Sequence, residues 1–310
     1  MNSQLKSSAL DSLGVLRVRG ADLVPFLQGQ LSNDLAQLSA GGSLLAGYHN
    51  PQGRTIAVLR LIENAPGDVL AILPRELVAA VAARLTKFVL RSKVKLTDES
   101  AAWAIHGVAG SAQSPLAAAA LPLPAQVNAV ARSAAALLVR IGAEPPRTLV
   151  VQPRDSPSVL AGIETQTEAQ WHAEAVAAAE PQVFAATSEQ FVAQMLNLDL
   201  LGAIAFDKGC YTGQEVIARA HYRGRVKRRL QRFVTDAPAQ LKPGDAGELP
   251  DGRTVRIVDA IRRADGRCEF LGVAGFAADE AEGASAAQAP PAAGALIEAQ
   301  PLPMPYALPR

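Results

Sequence analysis

The chain is poor in cysteine, in aromatic residues, in net charge and in long apolar runs, and each shortage excludes something. Its 310 residues contain 2 Cys, Cys210 and Cys268, which cannot form a disulfide framework, and their separation fits no zinc-ligand spacing. The histidines His49, His106, His172 and His221 are scattered, which argues against a His/Cys metal cage. Lys+Arg 30 against Asp+Glu 29 leaves a net charge of +1, so the chain as a whole is no nucleic-acid coat, although a local basic patch stays open. Low-charge stretches such as 101–131 are broken by Pro, Gly, Ser and Gln. None reaches the roughly 18 uninterrupted apolar residues of a membrane span. The opening MNSQLKSSALDSLG lacks a charged segment followed by an apolar core, so no signal peptide is expected. These absences predict a cytoplasmic protein of a reducing compartment, without a membrane partner.

What is present suits a folded enzyme-sized molecule. Hydrophobic residues make up 49% and charged residues 19%, enough for a real core and unlike a disordered chain. At about 100–200 residues per domain the length suggests two or three domains. Residues 9–18 read as a strand, and Asp22 is placed to cap a helix over 23–31. A hairpin is predicted over 44–62, turning at Asn50-Pro51-Gln52-Gly53. A strand over 69–73 leads through Pro74 into a helix over 75–87, and 89–96 and 101–108 read as extended. From 110 to 146 the composition drifts to Ala and Pro, the pattern of a variable surface region, before a strand at 149–152. Helices are predicted over 165–180, with Thr167 and Gln170 at capping-box spacing, and over 191–201. After Arg229 short strands alternate with Pro, Gly and Asp turns, the mark of a small all-β domain; the tail 281–295 is low-complexity.

Chemistry concentrates in Phe206-Asp207-Lys208-Gly209-Cys210-Tyr211-Thr212-Gly213-Gln214-Glu215. Thr212 and Glu215 also have capping-box spacing, which predicts a helix beginning there. Cys210 would then lie just before a helix N-terminus and two residues from Lys208, and both favour a thiolate. The alternative is a small hydrophobe packed beneath a loop. Downstream, residues 219–232 carry Lys or Arg at seven of fourteen positions and no acid. Such a run is either a solvated face or an anion site for phosphate, an oligoglutamate tail or RNA.

The string from Leu201 to Leu230, with Lys-Gly-Cys-Tyr-Thr-Gly-Gln-Glu at its centre, resembles the signature of the YgfZ family, the folate-binding relatives of the glycine-cleavage T protein. Gly20-Ala21-Asp22, Phe26-Leu27-Gln28-Gly29-Gln30 and Asn33-Asp34 resemble its N-terminal block. Asn50-Pro51-Gln52-Gly53-Arg54 resembles its hairpin turn, and Phe191, Gln194 and Asn197-Leu198 resemble the run into the signature. The resemblance covers nearly the whole chain, loosely in 110–160 and after 235.

It implies an α+β fold like that of the glycine-cleavage T protein: three subdomains in a ring around a central folate cavity, with a C-terminal β-barrel. Residues 1–228 would be the folate-binding region, two interleaved α+β subdomains, and 229–310 the barrel. The implied cofactor is tetrahydrofolate or a one-carbon derivative. The implied role is assembly or repair of iron–sulfur enzymes, including the radical enzyme that methylthiolates tRNA, with transient contact to an iron–sulfur cluster. Cys210 would be the functional thiol, supported by Lys208. Tyr211, Gln214 and Glu215 would shape the cavity wall, and Arg219, Arg223 and Arg225 would meet the oligoglutamate tail. Of two folate-binding tryptophans in the family, Trp171 matches the second, while Leu13 stands in the place of the first and forfeits aromatic stacking. The T protein also carries an acidic pair after its hairpin glycine, but Gly53-Arg54-Thr55-Ile56-Ala57-Val58 has no acid, which disfavours aminomethyl transfer. A one-carbon transferase is the alternative reading. Direct tRNA binding through the basic run, with Arg228 and Arg229, is a weaker third.

Overall fold

The computed structural model describes residues 5–38, 41–110, 123–224, 226–236, 241–276 and 295–309. It is an α+β protein of three largely antiparallel sheets and, among the described residues, four α-helices. The chain divides into two compact units, neither of them continuous in sequence: 1–49, 56–171 and 202–212 form one, and 50–55, 172–201 and 213–310 the other.

The first unit holds two sheets. One runs in the order β3 (Ser43–His49), β4 (Thr55–Ala65), β5 (Asp68–Pro74), β2 (Leu13–Arg19), β6 (Lys95–Asp98). The other runs β11 (Glu164–Thr165), β1 (Lys6–Ala9), β7 (Trp103–Ala109), β10 (Arg147–Pro153), β9 (Leu137–Gly142), β8 (Val130–Arg132). Their facing sides share one core: Val15, Ile62, Leu70 and Ile72 meet Ile105, Leu137, Val139, Leu149 and Val151. The period-2 alternation shows in β9, where Leu138 turns the other way and packs with Val108, Val150, Val159 and Leu160. Helix α2 (Arg75–Thr86) buries Leu77, Val78, Val81 and Leu85, an i, i+1, i+4, i+8 stripe. It lies so close to β2 that a Cβ on Gly14 would fall 2.7 Å from Val78 Cγ2.

In the second unit, five strands run β13 (Ala246–Glu248), β14 (Thr254–Arg262), β15 (Cys268–Gly275), β12 (Arg228–Thr235), β16 (Ala299–Leu302). Glu248 at one edge makes a parallel bridge with Leu296, just ahead of the strand at the other edge, so the two edges of the sheet approach each other. Phe233 and Phe270 stack in its core at 5.3 Å between ring centres.

Several local expectations are corrected. The single strand over 9–18 is two, β1 and β2, separated by a turn. Asp22 precedes α1 (Leu23–Gln28) but does not cap it; its carboxylate accepts a hydrogen bond from Lys93 N at 2.7 Å instead. The stretch 89–96 is mostly turn, with only β6 extended at its end. Residues 191–201 form a 3₁₀ turn at Ala193–Leu196, halted by Asn197 at φ 56° in the left-handed region. Part of the Ala/Pro-rich stretch is ordered as β8 and β9, whereas 111–122 and most of the tail 281–295 lie outside the described residues. Helix α3 (Glu168–Ala177) opens with the expected capping box: Thr167 N donates to Gln170 Oε1 at 2.8 Å and Gln170 N to Thr167 Oγ1 at 3.2 Å.

Candidate functional site

Two blocks of the sequence some 180 residues apart meet around Lys208. Its ammonium donates to the carbonyls of Gln28 at 2.7 Å, Leu31 at 2.6 Å and Asn33 at 2.9 Å, spending its three donors on the turn after α1. Burial pulls its pKa down to about 8, partly offset by the charge of Asp34. Asn33 Nδ2 donates to Gly202 O at 2.9 Å, and Ala205 N to Ser32 O at 3.0 Å. These bonds fix the loop that carries Cys210, and the thiol itself is exposed. The buried-hydrophobe alternative for this cysteine is thereby removed.

Tyr211 follows, buried, with Lys208 Nζ 4.9 Å from its ring centre. Burial raises its phenol to about 12, so it stays protonated. His49, at the end of β3, lies 6.4 Å from Tyr211 between ring centres. It is 1% exposed, and neither ring nitrogen has a hydrogen-bond partner. Burial drives its pKa down to about 3, which keeps the imidazole neutral. Gly47 makes room for it, since a Cβ there would come within 2.3 Å of His49 Nε2. Sequence reasoning passed over His49; the available signal was a glycine and a histidine two apart on one strand face, directly before the hairpin turn.

Trp171 and Leu13 share the core between the two sheets of the first unit. Trp171 is 6% exposed, with the Arg147 guanidinium 5.7 Å from its ring centre. A Cβ on Gly107 would come within 2.4 Å of its Cδ2. Both sequence-predicted residues thus belong to one core, with the indole buried in it.

In the second unit the hairpin turn and the start of α4 (Gln214–Tyr222) pack backbone to backbone. Asn50 Oδ1 accepts from Gln52 N at 3.0 Å and Arg54 N at 2.9 Å, fixing the turn. Gly213 stands at φ 82°, and a Cβ there would lie 2.5 Å from Asn50 O. The expected Thr212–Glu215 capping box does not form: Gly213 is the N-cap, with no side-chain cap bond. Along α4, Gln214 is half-buried, while Glu215, Arg219 and Arg223 are exposed. Arg219 and Arg223 are one turn apart, and neither pairs with a carboxylate among the described residues. Arg225 lies outside the described residues.

The rest of the basic run serves the fold. Arg229 is buried and forks onto Asp199 at 2.9 and 3.0 Å, and also donates to Gln194 O and Asn197 Oδ1. Asn197 Nδ2 donates to Tyr306 Oη at 3.2 Å, which donates to Ala179 O at 2.9 Å. Arg228 donates to Thr254 and Arg232 to Glu269. Neutralising Arg228 and Arg229 would therefore test the fold rather than RNA binding.

Among the described residues no group of three His, Cys, Asp or Glu is placed to hold a metal ion. No helix among them is long and apolar enough to cross a membrane.

No family model matches the chain. Glycine cleavage system aminomethyltransferase T from Bartonella henselae superposes with a TM-score of 0.69 at 14% identity, over 88% of this chain and 79% of that one. The protein is therefore of the glycine-cleavage T protein-like α+β fold class. The tRNA-modifying protein YgfZ of Escherichia coli O157:H7 (strain EC4115 / EHEC) is 33% identical over 269 residues, covering 83% of this chain and 82% of the relative. Its counterpart from Escherichia coli O7:K1 (strain IAI39 / ExPEC) is 32% identical over the same coverage. The chain belongs to the YgfZ family.

Proposed function

We propose that the protein is a tetrahydrofolate-binding factor in tRNA modification, which supports assembly or repair of iron–sulfur enzymes such as the one that methylthiolates tRNA. The observation that carries this reading is the exposed Cys210 thiol on a loop held by Lys208. A thiol so presented can engage persulfide, a cluster iron or a transient adduct, whereas a buried one is inert. Lys208 is its positioning residue, since its three carbonyl contacts set the loop. The name of the relatives, tRNA-modifying protein, supports the field of action, and the shared aminomethyltransferase fold supports folate.

The chain's chemistry suits that cofactor in part. Arg219 and Arg223, exposed and without carboxylate partners among the described residues, suit the carboxylates of the glutamate tail. Trp171 lies in the core of the first unit with Leu13 packed against that core, which suits apolar packing rather than open stacking faces. The folate would supply or accept the one-carbon unit; this chain would bind it and present the thiol. With no acid in 53–58, aminomethyl transfer is not assigned, and turnover of labelled methyl- or methylenetetrahydrofolate by the purified protein would overturn that choice.

The test is a deletion strain carrying wild type or Cys210→Ala, with methylthio-nucleosides quantified in total tRNA by mass spectrometry. Wild type is expected to restore them, and Cys210→Ala, shown folded by circular dichroism, is not. Full restoration by the variant removes the thiol from the mechanism.

A further inference from the structure

The turn after α2 has the features that the run 219–232 was expected to have. Residues 87–95 read Lys-Phe-Val-Leu-Arg-Ser-Lys-Val-Lys, four cations with no acid. Lys87, Arg91, Lys93 and Lys95 are all exposed, and none pairs with a carboxylate among the described residues. In the other run, Arg228, Arg229 and Arg232 are committed to internal partners. Between the cations the turn displays apolar groups: Phe88 is 48% exposed and Leu90 is 89% exposed. Leu90 also holds φ 44°, a left-handed conformation that a leucine adopts only when its surroundings impose it.

The turn is rigidly built. Phe88 N donates to Leu85 O at 2.9 Å, Ser92 N to Val89 O at 2.7 Å, and Lys93 N to the Asp22 carboxylate at 2.7 Å. Phe88 to Ser92 line a shallow cavity of about 590 Å³. Lysines on an edge strand such as β6 have an ordinary explanation, protection against edge-to-edge pairing. That explanation fails for Phe88 and Leu90, which make an edge stickier.

We infer that residues 87–95 form a contact surface for structured RNA, with the four cations on phosphates and Phe88 and Leu90 against an unpaired base. The inference rests on the tRNA-modification reading above and names a surface for the RNA. Unpaired cations without interspersed acids suit a polyanion. An exposed phenyl beside them suits base stacking, and an aliphatic apex suits a wedge into a base step. The rigid turn presents both without an ordering cost on binding. Two isolated apolar side chains are little surface to insert into a bilayer, whereas one phenyl is enough to stack on one base.

The test measures binding of fluorescently labelled total tRNA by anisotropy across a salt series. The proteins are wild type, the triple variant Lys87→Glu/Arg91→Glu/Lys93→Glu and the double variant Phe88→Ser/Leu90→Ser. Wild type is expected to bind with affinity that falls steeply with salt. The triple variant should bind at least about tenfold more weakly, its salt slope flattened by about 0.7–0.9 for each phosphate that is no longer neutralised. The double variant should bind about fivefold or more weakly with the slope unchanged, since base stacking is insensitive to counterions. All substituted side chains are exposed, and melting curves check that the variants stay folded. No tRNA binding by wild type at about 50 mM salt, a concentration where phosphate-driven binding is strong, overturns the inference, as does a triple variant that binds as wild type does. Sedimentation with phosphatidylserine-containing vesicles that is abolished in the same variants while tRNA binding persists would also overturn it, assigning the turn to a membrane surface. Tetrahydrofolate binding and the Cys210→Ala cell assay report separately on the proposed function. Failure there with tRNA binding intact would remove that function and leave this surface standing.

Discussion

Protonating His49 inside the fold means placing a charge where neither ring nitrogen has a partner. Its pKa is held at about 3 by burial, against an ordinary 6.5 in the unfolded chain. Between those values the unfolded state binds a proton that the native state refuses, so stability falls as pH drops from about 6.5 toward 3 and is unaffected above. His49→Phe is expected to remove this component. Urea unfolding at pH values of about 4.5 and 7.5, one inside that window and one above it, measures it. A variant with the pH dependence of wild type would refute the assignment. Trp171 offers a second residue-scale test. Gly107→Ala drives a methyl into the indole and is expected to cost about 1–3 kcal/mol by overpacking. Chemical denaturation gives the loss, and a shift in tryptophan emission reports the displaced ring.

At the scale of elements, two four-residue patterns with capping-box spacing, Thr-x-x-Gln and Thr-x-x-Glu, have opposite outcomes. Thr167 with Gln170 forms its capping box, because the bonds are local and nothing competes. Thr212 with Glu215 does not, because the close approach of Asn50 O sets Gly213 at positive φ and makes it the cap. The first was legible in the sequence and the second was not, since its controlling partner lies far away in the chain. The same holds for residues 191–201, whose apolar spacing reads as helix until Asn197 turns left-handed to reach Leu230 O and Tyr306. Gly213→Ala combines backbone strain with a steric clash, whereas Gly162 has the same φ of 82° and nothing within 4 Å. Gly162→Ala should cost about 1 kcal/mol from strain alone, and Gly213→Ala should lower stability by about 1–3 kcal/mol beyond that. Equal melting temperatures for the two variants would show that the backbone contact is not tight.

For the whole molecule, the α+β class and the all-β C-terminal portion were readable from strand lengths and turn punctuation, and the signature loop from its residues. What punctuation could not reveal is the interleaving, since pairings such as Arg229 with Asp199 carry no local mark. A fragment ending at residue 228 would leave Asp199, Asn197 and Ala179 without Arg229, Leu230 and Tyr306. Breaking a buried ion pair by removing one partner costs about 3–5 kcal/mol. The fragment is expected to expose 172–201 to protease while the full chain resists, and a protease-resistant fragment would contradict that.

The same division of the chain has a consequence for biosynthesis. Residues 50–55 leave the ribosome early, yet their unit is finished only by 213–310. At about 5–20 residues per second, the hairpin tip waits roughly 8–30 s for Gly213 and the helix behind it. The first unit, by contrast, can close as soon as residue 212 has emerged. A premature stop codon after that point would release a chain with its signature thiol already in place and its second unit never made. Quality control would then face a half-finished molecule carrying an exposed thiol.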